Sequence, residues 1–471
     1  MNEVVFPRAA DGRRSGSALG RAVVADALRV ADPAAAAAAE RESDWRTGYL
    51  PHFRALVEAG LDHGYDIARA GLESALSRMR VSREAGEIPL GEVFDTPARP
   101  LETVTVRGDG KPEQELIVPY RGELLRGDAL LRRLDRWVEQ GTIEPSCAAA
   151  VREVAAEPDW LDLSDQRIVV LGAGAEMGPL PAVLAWGGTV IGVDLPRPRV
   201  WARVAATARQ SAGTLIAPGA TIEAAGADLL TELPAVAQWL LGFEGRLVLG
   251  NYVYAPGEAY PRLSAAVDAL SGHVQRERPG TALAFLATPT DVFAVPAAAV
   301  AQATARYRDR RAAAKLLATV SGSRLLQPNY PPGADPGIAD SLVPQQGPNY
   351  ALAKRIQRWR ASVARHDGTT VSLTVAPPTR TRSVTSNRLL AAAYAGAHLF
   401  GVEIFEPATS NRLMAALLVH QLRKPRPAAP AAWTDEAIGA AHGGLWRVAY
   451  QPRTALGLAA VRGLPATLRR S

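Results

Sequence analysis

The chain has 471 residues, more than the about 100–200 that one ordinary core holds, so two folded regions and a tail are expected. With 48% apolar and 21% charged residues, a disordered or fibrous protein is excluded. The formal charge of +6 rests on arginines scattered along the chain, with lysine only at 111, 315, 354 and 424. Without a dense basic run, nucleic acid is not an expected partner.

In chain order, residues 1–160 read as a mostly helical accessory domain. After a polar, arginine-rich start, Asp32-Pro33 supplies a cap and a first-turn proline ahead of an alanine run. Tyr65, Ala68, Leu72, Leu76 and Met79 recur at the spacing of an amphipathic helix. Around Gly108-Asp109-Gly110, the alternating Thr103–Val106 and the apolar Leu116–Tyr120 predict a hairpin. Leu124, Leu131, Leu134 and Trp137 mark a further helix. The lone Cys147 excludes an intrachain disulfide and a multi-cysteine metal site and fits a reducing compartment. The seven histidines have no metal-ligand spacing, so no metal is expected. Asp26 and Arg29 interrupt the best candidate for a secretory signal, and a cytoplasmic location is expected.

The pattern changes at Asp165. Arg167–Leu171, Thr189–Val193, Arg246–Leu249, Thr281–Leu286 and Thr370–Val375 read as strands separated by helix-length segments. That alternation implies right-handed crossovers and a parallel sheet covered on both faces, spanning residues 161–422. The most apolar stretch, Leu389–Phe405, is shorter than the roughly 20 residues of a membrane span and contains His398 and Glu403. Thr409-Ser410-Asn411 reads as the cap of a helix from Arg412 to Leu422. Residues 423–471 read as a Pro/Ala-rich linker or wrap followed by a basic tail. After Glu436 this segment carries Arg447, Arg453, Arg462, Arg469 and Arg470 and no acid, so it is either solvated or a peripheral surface anchor.

Gly172, Gly174 and Gly178, with Glu176 and Met177 between the last two, follow the buried strand Arg167–Leu171 directly and precede a helical stretch. Glycines there permit a tight turn and let backbone N–H groups approach a pyrophosphate. Asp194 ends the next strand, where a carboxylate can bond ribose hydroxyls. These features define an α/β fold with a Rossmann-type doubly wound parallel sheet. The loop suits a nicotinamide dinucleotide, and it equally suits S-adenosylmethionine.

Gly347-Pro-Asn-Tyr350-Ala-Leu-Ala-Lys354 separates these possibilities. Residues four apart share a helix face, so the Tyr350 hydroxyl and the Lys354 ammonium can point into one cleft. The ammonium is expected to lower the phenol pKa from near 10 toward the working pH, fitting Tyr350 for proton transfer.

Here the chain, over about residues 165–400, resembles the short-chain dehydrogenase/reductase family, which carries a Tyr-x-x-x-Lys pair on the helix after its fifth strand. The resemblance implies hydride transfer between a nicotinamide and a carbonyl or alcohol, with Tyr350 catalytic and Lys354 also holding the nicotinamide ribose. It further implies that Asp228 contacts adenine and that Asn251 belongs to the segment after the fourth strand. Pro377 and Thr381 would lie along the carboxamide. The sequence departs from the family in its glycine order, in having Pro377-Pro378 for Pro-Gly, and in placing Thr381 one residue early. Gly337 stands about where the family has its catalytic serine. Thr288 or Thr290, after the fifth strand, is therefore the expected substrate-orienting hydroxyl, with Ser341 as a spare, and an insertion containing Ala297–Val320 fills the gap.

The expected function is that of an NAD(P)-dependent oxidoreductase acting on a small molecule, and the apolar content of the insertion and of Arg382–Phe405 points to a bulky or hydrophobic one. Asp194 favours NAD because its charge repels a 2′-phosphate; Arg197 and Arg199 keep NADP open. A methyltransferase and a noncatalytic dinucleotide-binding protein are the competing classes, and self-association into a homo-oligomer is left open.

Overall fold

The computed structural model describes residues 2–9, 11–322 and 324–468. Strand β1 (Glu3–Val5) and helices α1 (Gly16–Arg29), α2 (Pro33–Arg41) and α3 (Trp45–Arg78) come first, followed by β2 (Arg80–Arg83) and β3 (Gly86–Pro89). The three strands form a small antiparallel sheet. Asp32 caps α2 by accepting the Ala35 N–H at 2.9 Å, with Pro33 in the first turn, as the sequence predicts.

Strand β4 (Thr103–Arg107) does not pair with the following strand. It joins the main sheet instead, as an antiparallel edge strand. The expected hairpin is therefore corrected: β5 (Val118–Tyr120) pairs with β6 (Glu123–Leu125). Helices α4 (Gly127–Glu139) and α5 (Pro145–Ala156) lead into the central region.

There β7 (Gln166–Leu171), α6 (Leu180–Ala185), β8 (Thr189–Val193), α7 (Pro198–Arg209) and β9 (Thr214–Pro218) form the first half. After α8 (Leu233–Leu241), β10 (Arg246–Asn251), α9 (Ala259–Glu277) and β11 (Ala282–Ala287) begin the second. An inserted antiparallel pair, β12 (Val292–Val295) and β13 (Gly337–Asp340), encloses α10 (Ala297–Arg308) and α11 (Ala312–Val320). Helix α12 (Gly347–His366) and β14 (Val371–Val375) complete the sheet.

Its order is β14-β11-β10-β7-β8-β9-β4. Apart from β4, every pairing is parallel. Counting β7 as the first strand, this is the order 3-2-1-4-5-6 of a doubly wound dinucleotide-binding sheet. Strand periodicity divides the core between two faces: Val169 and Leu171 pack with the layer of α9, α12 and the N-terminal helices, while Ile168 and Val170 pack with α5, α6 and α15 (Pro407–Arg423). With both faces covered, the strands read as continuous apolar runs. Helices α1 and α3 pack on α12, so residues 1–160 are built onto the sheet domain and not set beside it.

After β14 come α13 (Arg382–Thr385) and α14 (Arg388–Gly396), then α15, α16 (Ala432–Ala437) and α17 (Pro452–Leu468), which packs along α14. The expectation of a basic tail is corrected here. Trp446 is fully buried, Arg447 forms two bonds with the buried Glu144, and Arg453 pairs with Asp340. Their acidic partners lie far away in sequence, so the segment looks unpaired when read alone. Arg469 and Arg470 lie outside the described residues. Among the described residues, no helix is long and apolar enough to cross a membrane.

Candidate active site

The chain order reverses between β7 and β10, opening the crevice in which a doubly wound sheet takes its ligand. Gly172 follows β7 directly with φ of +89°, and a Cβ there would lie 2.8 Å from the Tyr252 carbonyl oxygen, so both conformation and space require glycine. Its N–H donates to Val193 O at 2.8 Å, holding the loop against the end of β8. The Gly174 N–H donates to Asp194 Oδ2 at 2.7 Å and the Leu195 N–H to Oδ1 at 2.8 Å. Each carboxylate oxygen keeps a second lone pair, so Asp194 can still accept from ribose hydroxyls.

The glycine loop meets the start of α13 at Glu176. Its carboxylate accepts the Arg382 N–H at 2.8 Å and lies 3.2 Å from the Arg382 guanidinium. Thr381 is thereby brought beside the glycine loop; its hydroxyl bonds Ser383 at 2.9 Å. Met177 packs partly buried against the core, and the Gly178 carbonyl accepts from the Asn411 amide. Pro377 is buried after β14. Asp228 is committed locally: Oδ1 accepts the Leu230 N–H at 2.9 Å, while Ala227 N–H donates to Asp194 O. Asn251, the last residue of β10, pairs in register with Leu171. Its side chain is buried and its Oδ1 has no hydrogen-bond partner. The glycine turn, Asp194 and Glu176 are thus joined by hydrogen bonds or run on in chain at the end of β7, and the unpartnered, buried Asn251 oxygen at the end of the neighbouring β10 suits a polar partner.

Tyr350 and Lys354 lie in the first turns of α12, against the loop that follows β11. Lys354 Nζ donates to Leu286 O at 3.3 Å and to Gln357 Oε1 at 3.0 Å. The Thr288 hydroxyl acts electrostatically on Tyr350, favouring its ionised form, and is 3.0 Å from the hydroxyl of Thr290. Thr290 also accepts from Gln346 Nε2 at 2.7 Å. Of the two threonines, Thr288 is the one whose hydroxyl bears on the tyrosine; Thr290 bonds it and faces an apolar cavity shared with Ser341.

One electrostatic expectation is overturned. Burial pushes the Tyr350 phenol up to about 12, and the opposing pull of Lys354 and of the Thr288 hydroxyl does not compensate. Burial also lowers the Lys354 ammonium. Both shifts disfavour charge in an apolar setting where the Tyr350 ring lies 5.5 Å from that of Tyr260 and 6.5 Å from that of Tyr254. Tyr350 is consequently a neutral acid at ordinary pH.

Thr409, Ser410 and Asn411 are not a cap, since α15 starts at Pro407. Thr409 donates to Pro119 O in β5, Ser410 bonds Thr379 at 2.6 Å, and Asn411 holds Gly178, so the last of the three braces the glycine turn. Sequence reasoning also missed Arg203, whose Nη2 donates to Gly174 O at 2.8 Å. It lies one helical turn beyond Arg199 on α7, a spacing that could have flagged it.

No protein-family model and no curated protein matches the chain. Solved structures similar to it include a short-chain type dehydrogenase/reductase from Mycobacterium marinum, at 13% identity and a TM-score of 0.34, covering 61% of this chain and 98% of that one. A short-chain dehydrogenase/reductase family oxidoreductase from Burkholderia thailandensis gives 14% identity and a TM-score of 0.33 over 60% of this chain and 92% of its own. A Beutenbergia cavernae protein with NADP bound at low occupancy gives 14% identity and 0.33 over 60% and 98%. The Rossmann-type class follows from the strand order and the crevice themselves.

Proposed function

We propose that the chain is an NAD(P)-dependent oxidoreductase of the short-chain dehydrogenase/reductase type, acting on a carbonyl or a secondary alcohol. The observation that carries this reading is the placing of Tyr350 and Lys354 one turn apart at the start of α12, against the loop after β11 that carries Thr288, at the same C-terminal edge of the sheet as the glycine turn. When bound, the nicotinamide supplies or accepts the hydride. The neutral Tyr350 phenol donates its proton to the carbonyl oxygen, and Thr288 orients that oxygen. Lys354 stabilises the phenolate left on Tyr350, where burial otherwise penalises charge. Asp194 receives ribose hydroxyls and favours NAD, whereas Arg203, adjoining the same loop, offers a cation to a 2′-phosphate.

The test is turnover of a carbonyl panel with NADH and NADPH by wild type and Tyr350→Phe. The variant should lose activity by about 10²–10⁴-fold while nucleotide binding is retained. Undiminished turnover in Tyr350→Phe would overturn the assignment.

A further inference from the structure

We infer that the substrate is an amphiphile, in which an apolar chain connects the reacting carbonyl to an anionic, phosphate-like group at the far end. Which end reacts rests on the redox reading above; the rest comes from two adjoining cavities that share lining residues. The inner one, of about 90 Å³, starts at Thr290 and Ser341 and is otherwise walled by apolar surface from Val343, Pro378, α14, α17 and the chain between those helices. Ser341 is 1% exposed and its hydroxyl has no hydrogen-bond partner. A buried hydroxyl left unsatisfied is costly, so this one suits a polar atom brought in by a ligand.

Beside the inner cavity runs a groove of about 1560 Å³, with Tyr394, Phe400, Val402, Ile404, Val448 and Tyr450 lining both. Leu316, Val320 and Leu399 line the groove and are 65%, 76% and 57% exposed. Apolar surface standing open along a channel is what an aliphatic chain would cover.

The rim of the groove is basic. Arg121 and Arg380 pair with Glu403 and Glu406 there. Arg306, Arg310, Arg311 and Arg462 also line it, beside a single further acid, Asp309. Among the described residues, none of these four arginines forms an ion pair. Arg306 donates only to the carbonyls of Arg447 and Gln140, and Arg310 donates to the Tyr307 carbonyl while its guanidinium stacks on that ring. Several guanidinium forks without carboxylates suit the oxygens of a phosphate monoester.

The test uses the full chain and three probes: decyl phosphate below its micellar concentration, 1-decanol and inorganic phosphate, titrated calorimetrically. Decyl phosphate should bind more tightly than either of the others. Reversing two exposed rim charges, Arg311→Glu with Arg462→Glu, should weaken decyl phosphate by about tenfold or more, the loss of one or two charge-assisted contacts, and leave 1-decanol unchanged. Ala455→Phe, which fills the inner cavity, should weaken both, with the melting temperature checking that it folds. Decyl phosphate binding no tighter than 1-decanol, or unaltered by the charge reversal, would overturn the inference. NADH binding, followed by nicotinamide fluorescence in the same preparations, separates the two claims. If NADH fails to bind while the probe pattern holds, the amphiphile site stands and the redox reading falls.

Discussion

Replacing Glu144 by Gln should destabilise the protein through the segment that walls the inner cavity. Glu144 precedes α5; its Oε1 accepts from His442 Nε2 at 2.9 Å and Arg447 Nε at 2.7 Å, and its Oε2 from Arg447 Nη2 at 2.7 Å. These bonds tie down the chain carrying Leu445, Val448 and Tyr450, all three of which line the cavity. Burial alone would raise the carboxyl, but the hydrogen bonds and charges of Arg447 and His442 outweigh it and bring the group from 4.5 to about 2. That depression corresponds to about 3 kcal/mol of stability at neutral pH. Between those two values the unfolded chain binds the proton more readily, so the contribution is present above 4.5 and is lost as pH falls toward 2. In Glu144→Gln the Arg447 guanidinium stays buried near Arg306 without a counter-charge, a loss of about 3–5 kcal/mol at pH 7. Urea unfolding of wild type and variant at a series of pH values measures both effects. The gap should be widest at neutral pH and narrow on acidification below 4.5. A gap under about 1 kcal/mol at pH 7, or one that does not change with pH, would refute the reasoning.

Two further outcomes follow from the crevice. Arg203→Ala should weaken NADPH by about tenfold relative to NADH, as one charge-assisted phosphate contact is lost; equal effects on the two nucleotides in a fluorescence titration would remove Arg203 from 2′-phosphate recognition. The ultraviolet difference between nucleotide-free wild type and Tyr350→Phe should show no phenolate from Tyr350 until well above pH 10, because burial holds the phenol up at about 12. A transition near pH 7 would mean that Lys354 dominates after all.

The strands were legible because both faces of the sheet are covered: Arg167–Leu171 and Thr370–Val375 are apolar enough to announce themselves without their partners. The glycine turn, Asp194 and the Tyr350/Lys354 pair were legible because short-range spacing places them. Pairing was not. Thr103–Val106 reads as a strand, yet its neighbour β9 is chosen by tertiary packing; Gly108 serves a close approach, since a Cβ there would lie 1.9 Å from Ser211 O, and makes no hairpin turn. Asn411 looks like a cap by residue type, but its amide reaches Gly178, 233 residues earlier. Arg447 looks like part of a solvated tail because Glu144 is 303 residues away. The Tyr350 environment was misjudged for the same reason. Lys354 is visible four residues on, whereas the burial that outweighs it comes from Tyr260, Tyr254 and the layers around them.

The most direct test of the central claim is a titration of the full chain with NADH, NADPH and S-adenosylmethionine, followed by nicotinamide fluorescence and melting temperature, because a ligand selective for the folded state must raise its stability. The account predicts stabilisation by a reduced nicotinamide nucleotide, with Asp194→Ala retaining it only for the phosphorylated form. Stabilisation by S-adenosylmethionine alone, or by none of the three, would contradict it.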